Sequence, residues 1–176
     1  MQPLTILNSL QFDVTLKRLC YQLSENHLNF DDTVFIGIQP RGIYVCQRIC
    51  ALLKATNNNI QQGSLDITFY RDDFRRRDEL ATPAPTSINF AVENKKVILM
   101  DDVLYTGRTI RAALDALLDY GRPQKVELLV LVDRKYARHL PIAPDYTGIA
   151  IDTITSDKVK VRWSETEGID EILIVK

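Results

Sequence analysis

Residues 97–109 carry the densest chemistry in the chain: Val97-Ile98-Leu99-Met100, then Asp101-Asp102, then Val103-Leu104-Tyr105 and Thr106-Gly107-Arg108-Thr109. The apolar run predicts a buried strand with two carboxylates at its end, and the Thr-Gly-Arg-Thr turn opens a helix. Gly107 permits a backbone conformation that aims successive N–H groups inward. Thr106 and Thr109 add hydroxyl donors, and the helix start adds positive potential. Such a turn is a phosphate cradle. Ionised carboxylates only accept hydrogen bonds, so Asp101 and Asp102 suit the hydroxyls of a ribose better than a second anion. The segment as a whole fits a sugar bearing a terminal phosphate. Adjacent aspartates also cap helices or hold metals, and acid-terminated apolar strands also occur in nucleotide triphosphatases. Those enzymes need a P-loop. The stretch Gly37-Ile38-Gln39-Pro40-Arg41-Gly42 has the glycine spacing, but Ile43 and Tyr44 stand where lysine and serine or threonine are required.

Other elements must hold this segment in place. Phe12, Leu16, Leu19, Cys20 and Leu23 recur at helical spacing and predict an amphipathic helix over about residues 11–27. Residues 34–38 read as a buried strand, interrupted by Pro40 and Gly42, and Cys46, Ile49, Cys50 and Leu53 mark the next helix. Asn57-Asn58-Asn59 turns the chain, and residues 67–70 and 97–100 read as strands. Ile110, Ala113, Leu114, Leu117 and Leu118 form a helical stripe that Gly121 and Pro123 bring to an end. Residues 126–132 are a long apolar strand. Apolar strands without alternation, linked by helices, predict an α/β fold with a mostly parallel twisted sheet and helices on both faces. The segments after Ile38, Tyr70, Met100 and Val132 then converge on one site. Residues 71–92, aperiodic and polar with Pro83 and Pro85, predict a flexible loop over it. Short strands at residues 158–163 and 171–175 predict a small hood or sheet edge.

The 176 residues, 45% of them hydrophobic, suit a single domain over residues 1–176 with a real core. Charged residues make up 26% but cancel to a net of -1, which excludes disorder and a chain-wide basic field for nucleic acid. Cys20, Cys46 and Cys50 form no CxxC pair, as expected of buried free thiols in a reducing compartment. No apolar run approaches the roughly 20 residues of a membrane span. The N-terminus lacks the pattern of a secretory signal. A cytoplasmic protein with no membrane partner is expected. His27 and His139 have no metal or triad spacing, and no metal-ligating residues are assigned.

Residues 97–109 resemble the 5-phosphoribosyl-1-pyrophosphate (PRPP) motif of type I phosphoribosyltransferases. More narrowly, the chain resembles the PyrR family, pyrimidine operon regulators that are also uracil phosphoribosyltransferases. The similar segments are residues 37–44 with Arg41-Gly42-Ile43-Tyr44, residues 66–73 with Tyr70-Arg71-Asp72-Asp73, residues 101–121 followed by Arg122-Pro123, and Leu131-Val132-Asp133-Arg134. The resemblance implies that Asp101 and Asp102 hold the ribose hydroxyls and that Thr106, Gly107, Arg108 and Thr109 bind the 5-phosphate. Val103, Leu104 and Tyr105 complete the nucleotide-binding segment. It makes Pro40-Arg41-Gly42 the pyrophosphate turn and gives Arg71 and Arg75 catalytic positions on the loop. Arg75, Arg76 and Arg77 read equally as a solvated charge run. Val132, Asp133 and Arg134 would face the base, partly through backbone groups, although Asp133 also suits a loop cap. Mg2+ is implied on the pyrophosphate, with few protein ligands, as is a homo-oligomer, a dimer or higher.

The activity implied is transfer of phosphoribose from PRPP to a nucleobase, with uracil giving UMP and pyrophosphate. The alternative is an RNA-binding transcriptional attenuator that senses uridine nucleotides, with Arg18 and Arg138 as candidate RNA contacts. Around Arg18, the stretch Lys17-Arg18-Leu19-Cys20-Tyr21 lacks the family's usual threonine and histidine. Ala143 and Ile149 stand where the family usually has basic residues, and one residue is inserted between Arg134 and Pro141. Fewer cations weaken contact with phosphate, so catalysis is expected to outweigh RNA regulation.

Overall fold

A computed structural model of the chain describes residues 3–72, 83–153 and 157–175. The elements run β1 (Leu4–Leu7), α1 (Ser9–Asn26), β2 (Thr33–Ile38), α2 (Gly42–Lys54), β3 (Gln61–Leu65), β4 (Lys96–Leu104), α3 (Arg108–Leu117), β5 (Lys125–Lys135), β6 (Tyr146–Asp152), β7 (Lys158–Arg162), α4 (Ser164–Glu167) and β8 (Glu171–Val175). Five parallel strands form the main sheet in the order β3-β2-β4-β5-β6, and β1-β8-β7 form a small antiparallel hood.

The sheet follows from the apolar runs. Every residue of β2 is buried, as are Val97, Ile98, Leu99 and Met100 of β4. Alternate residues enter opposite cores. Ile98, Met100, Leu129 and Leu131 pack with Phe12, Leu16, Val45 and Ile49 of α1 and α2, whereas Val97, Leu99, Leu128 and Val130 pack with Ile110, Ala113 and Leu117 of α3. The first core continues into the hood through Val161, Trp163 and Ile172. Asn8 starts α1 with a capping box: its side chain accepts from the Gln11 amide and the Gln11 side chain accepts from the Asn8 amide, both at 3.0 Å. All three cysteines are buried and unpaired as disulfides. No helix among the described residues is long and apolar enough to cross a membrane.

Several sequence expectations change. Residues 67–70 are not a strand: Thr68–Tyr70 is a single 3-10 turn, and the strand is the preceding, polar β3. Its edge position allows polar side chains, which hides the strand period, while the apolar signal of Ile67 comes from a buried turn residue. The sequence pattern missed β1 and β6, each at the margin of a sheet. The main strand extends past Met100 to Leu104, so Asp101 and Asp102 lie within it rather than at its end. The middle of the expected loop, residues 73–82, lies outside the described residues. Farther along, Ser87 bridges Ser64 of β3 through two backbone hydrogen bonds of 2.9 Å, and Val92 is buried.

At the start of α2, a Cβ on Gly42 would meet the Met100 carbonyl oxygen at 2.4 Å and the Asp101 Cα at 3.0 Å. Both are backbone atoms of β4, so any larger residue must push the helix off the central strand. Gly42→Ala should therefore lower stability by about 1–3 kcal/mol, read as a lower urea midpoint with an unchanged slope. An unmoved midpoint would show that α2 can shift without cost.

Candidate active site at the carboxyl ends of the parallel strands

Because the strands are parallel, the turns after β2, β4 and β5 emerge at one edge of the sheet. Leu104 lies in register with Asp133 across the β4–β5 pair, so the expected phosphate turn and base segment leave the sheet side by side. Between β4 and α3 the chain forms a cleft of 180 Å³ lined by Arg71, Asp101 and residues 103–110. Gly107 precedes α3 at φ +90°, a conformation that a side chain disfavours. The Arg108 amide points to Thr106 Oγ1 at 3.4 Å. The unsatisfied amides of the first turn of α3 supply the positive end of a ten-residue helix.

Asp101 is buried and Asp102 half-buried. Oδ1 of Asp101 accepts from the Asp102 amide at 2.9 Å, and Oδ1 of Asp102 accepts from the Val103 amide at 2.8 Å. Burial pushes the Asp101 carboxyl well above the usual carboxylate range, the neighbouring Asp102 charge adds to the rise, and Arg71 opposes it. Burial also raises Asp102, against the nearby charge of Arg41. Burial thus disfavours the charged form of both carboxyls, and a donor or positive charge brought beside them would favour it.

The other expected residues fall into place unevenly. Arg71 lines the cleft beside Asp101. Arg75, with Arg76 and Arg77, lies outside the described residues. Arg41 donates from Nη1 to the Val161 carbonyl of the hood at 2.8 Å. Arg108 turns its side chain outward to an ion pair with Asp72, leaving its backbone as the group nearest the turn. Val132 is fully buried, and Asp133 is paired with Arg138. Arg134 is buried, with its guanidinium 3.9 Å from the Tyr105 ring centroid and its Nε on Thr153 Oγ1 at 3.0 Å.

Of the two expected RNA contacts, Arg18 sits on the exposed side of α1, with Nη2 on the Thr147 carbonyl at 3.3 Å and on that of Gly148. Arg138 turns inward instead, onto four backbone carbonyls and Asp133. Spacing alone did not reveal this role, since its partners lie as far as 34 residues away. His27 is buried in a bond to Glu127 at 3.0 Å, and His139 supplies only its backbone amide to Thr106. Among the described residues no group of three or more His, Cys, Asp or Glu could hold a metal.

This fold and cleft define a phosphoribosyltransferase, and the phosphoribosyl transferase domain family matches residues 4–165. The chain belongs to the PyrR family within that class. It is 42% identical to the bifunctional protein PyrR of Desulfosudis oleivorans over 96% of this chain and 94% of the relative. It is 45% identical to the bifunctional protein PyrR of Ligilactobacillus salivarius over 97% of each. In fold it also matches the hypoxanthine-guanine phosphoribosyltransferase of Bacillus anthracis, with TM-score 0.73 at 16% identity over 100% of each chain. The hypoxanthine phosphoribosyltransferase of Staphylococcus aureus gives TM-score 0.72 at 19% identity over 98% of this chain and 92% of that one.

Both aspartates have folded values above their unfolded ones, so the folded chain binds more protons than the unfolded chain and loses stability as pH rises from the acid range. Asp101→Asn keeps the acceptor for the Asp102 amide and removes the buried charge. The variant should melt above the wild type at pH 7, with the gain shrinking as pH is lowered into the acid range. A wild-type melting temperature at pH 7 would show that the carboxylate is not destabilising.

Proposed function

We propose that the chain transfers phosphoribose from PRPP to uracil, forming UMP and pyrophosphate. The observation that carries this reading is the convergence on one cleft of buried Asp101, the phosphate turn at the start of α3 and Arg71. The 5-phosphate binds the amides and hydroxyls of residues 106–109, and Asp101 and Asp102 accept hydrogen bonds from the ribose hydroxyls. As the C1–O bond to pyrophosphate breaks, positive charge builds on the ribose, and the same two carboxylates stabilise it. Arg71, beside Asp101, offers charge to the departing pyrophosphate. Backbone groups around Asp133 and Arg134 hold the base so that its N1 bonds to C1, the N1 proton leaving to solvent. Asp101, which lines the cleft, and its neighbour Asp102 are the carboxylates that would help to hold Mg2+, with substrate oxygens and water supplying its other ligands. When bound, it neutralises leaving-group charge.

The test is incubation with PRPP and Mg2+ against uracil, hypoxanthine, guanine and orotate. UMP formation with uracil, abolished by chelator, is expected, and turnover of a purine alone would overturn the choice of base. Asp102→Asn places amide donors against hydroxyl donors and should weaken PRPP binding about 10- to 100-fold by calorimetry.

The relatives' name, bifunctional protein, supports a second activity, and the family resemblance makes RNA-dependent regulation the one to test. In this chain we expect it to be weak. Arg18 and Arg138 donate to carbonyls within the chain, Ile149 packs against the core, and a net charge of -1 gives no compensating field. Each absent phosphate contact should flatten the log-log salt dependence of leader-RNA retention on filters by roughly 0.7 to 0.9. Tight, UMP-enhanced RNA binding without measurable transfer would reverse the order of the two activities.

A further inference from the structure

Residues 136–142 run against the phosphate turn, and Arg138 is the side chain that joins the two. Its Nε donates to the Ile142 carbonyl at 3.0 Å. Its Nη1 donates to the carbonyls of Arg134 at 3.0 Å and Leu104 at 3.3 Å and to that of Tyr105, while Nη2 pairs with Asp133 Oδ1. One planar fork therefore reaches the end of β4, the end of β5 and the returning chain at once. The backbone reinforces it: the amides of His139 and Leu140 donate to the Thr106 carbonyl at 3.0 and 3.2 Å. Gly107 completes the contact, since a Cβ there would stand 3.2 Å from Ile142 Cδ1 and 3.4 Å from Leu140 Cβ.

We infer that Arg138 is a positioning residue for the transfer reaction and not an RNA contact: it sets the distance between the turn that takes the 5-phosphate and the segment that faces the base. The inference rests on the phosphoribosyltransfer reading above. In that reaction the sugar phosphate is held by the end of β4 and the turn that follows it and the base by the end of β5, and no covalent link to the enzyme corrects an error between them. A misplacement of about 1 Å costs on the order of 100-fold in rate. Lysine carries one compact charge and cannot span these acceptors in a plane, so it is not a substitute.

The experiment compares wild type with Arg138→Ala and Arg138→Lys in UMP formation, PRPP calorimetry, filter retention of leader RNA at matched salt, and melting temperature. Both variants should lose about 100-fold in kcat/KM while retaining RNA as wild type does. Added guanidinium ion should restore part of the activity of Arg138→Ala, and methylammonium should not. If Arg138→Ala fails to fold, the lysine variant decides: loss of transfer near the wild-type melting temperature supports the role, and full transfer overturns it. Wild-type kinetics with lost RNA retention in either variant also overturns it. A wild type that neither binds PRPP nor makes UMP removes the phosphoribosyltransfer reading, and this inference with it, whereas an active wild type beside an equally active alanine variant removes this inference alone.

Discussion

Two adjacent carboxylates inside the central strand of a parallel sheet are the constraint around which the molecule is arranged. β4 has β2 on one side and β5 on the other, so neither aspartate can turn to an open sheet edge. Bonds from the next amides along the strand satisfy one oxygen of each, and Arg71 and Arg41 offset part of the charge. Burial disfavours the charged form of both, and a ribose that gains positive charge as its anionic leaving group departs is the ligand that, under the proposed reaction, would favour that form again.

The turn from β2 into α2 ties this strand to the hood. Gly42 lets α2 approach the β4 backbone, and Arg41 next to it reaches the Val161 carbonyl. About two helical turns farther along α2, Arg48 bonds Glu165, Ser164 and Asp170 and lies 5.1 Å from the Trp163 ring centroid. These contacts hold the antiparallel sheet against α2 through a charged network with an aromatic floor, where Phe12 meets Trp163 edge-on at 5.2 Å. The relatively exposed Arg48–Glu165 pair adds little stability by itself. Its value lies in orientation, because two carboxylates and a hydroxyl of the hood fix one guanidinium group of α2.

Arginine serves several purposes here, and the same residue type gives different chemistry in each setting. Arg71 faces the carboxylates, Arg134 covers Tyr105, Arg138 spans backbone carbonyls, and Arg18 lies along β6. A count of basic residues therefore says little about affinity for phosphate. What matters is which guanidinium groups keep donors pointed away from the chain.

The sequence by itself determined the parts governed by local pattern. Continuous apolar runs required a covered parallel sheet, 3.6-residue periodicity marked α1, α2 and α3, and the Asp101-to-Thr109 stretch carried its own chemistry because its residues are neighbours in the chain. Edge strands β3 and β6 escaped notice, since one-sided pairing and polar or glycine-bearing composition remove the period that identifies a strand. The tertiary structure alone decided how far β4 runs, which enclosed Asp101 and Asp102 in the sheet and raised their pKa values through desolvation. It also decided the direction of each arginine. A long flexible side chain has no preferred partner until distant segments fold beside it, and Arg138 met the carbonyls of Leu104 and Tyr105 only because β4 and β5 end side by side.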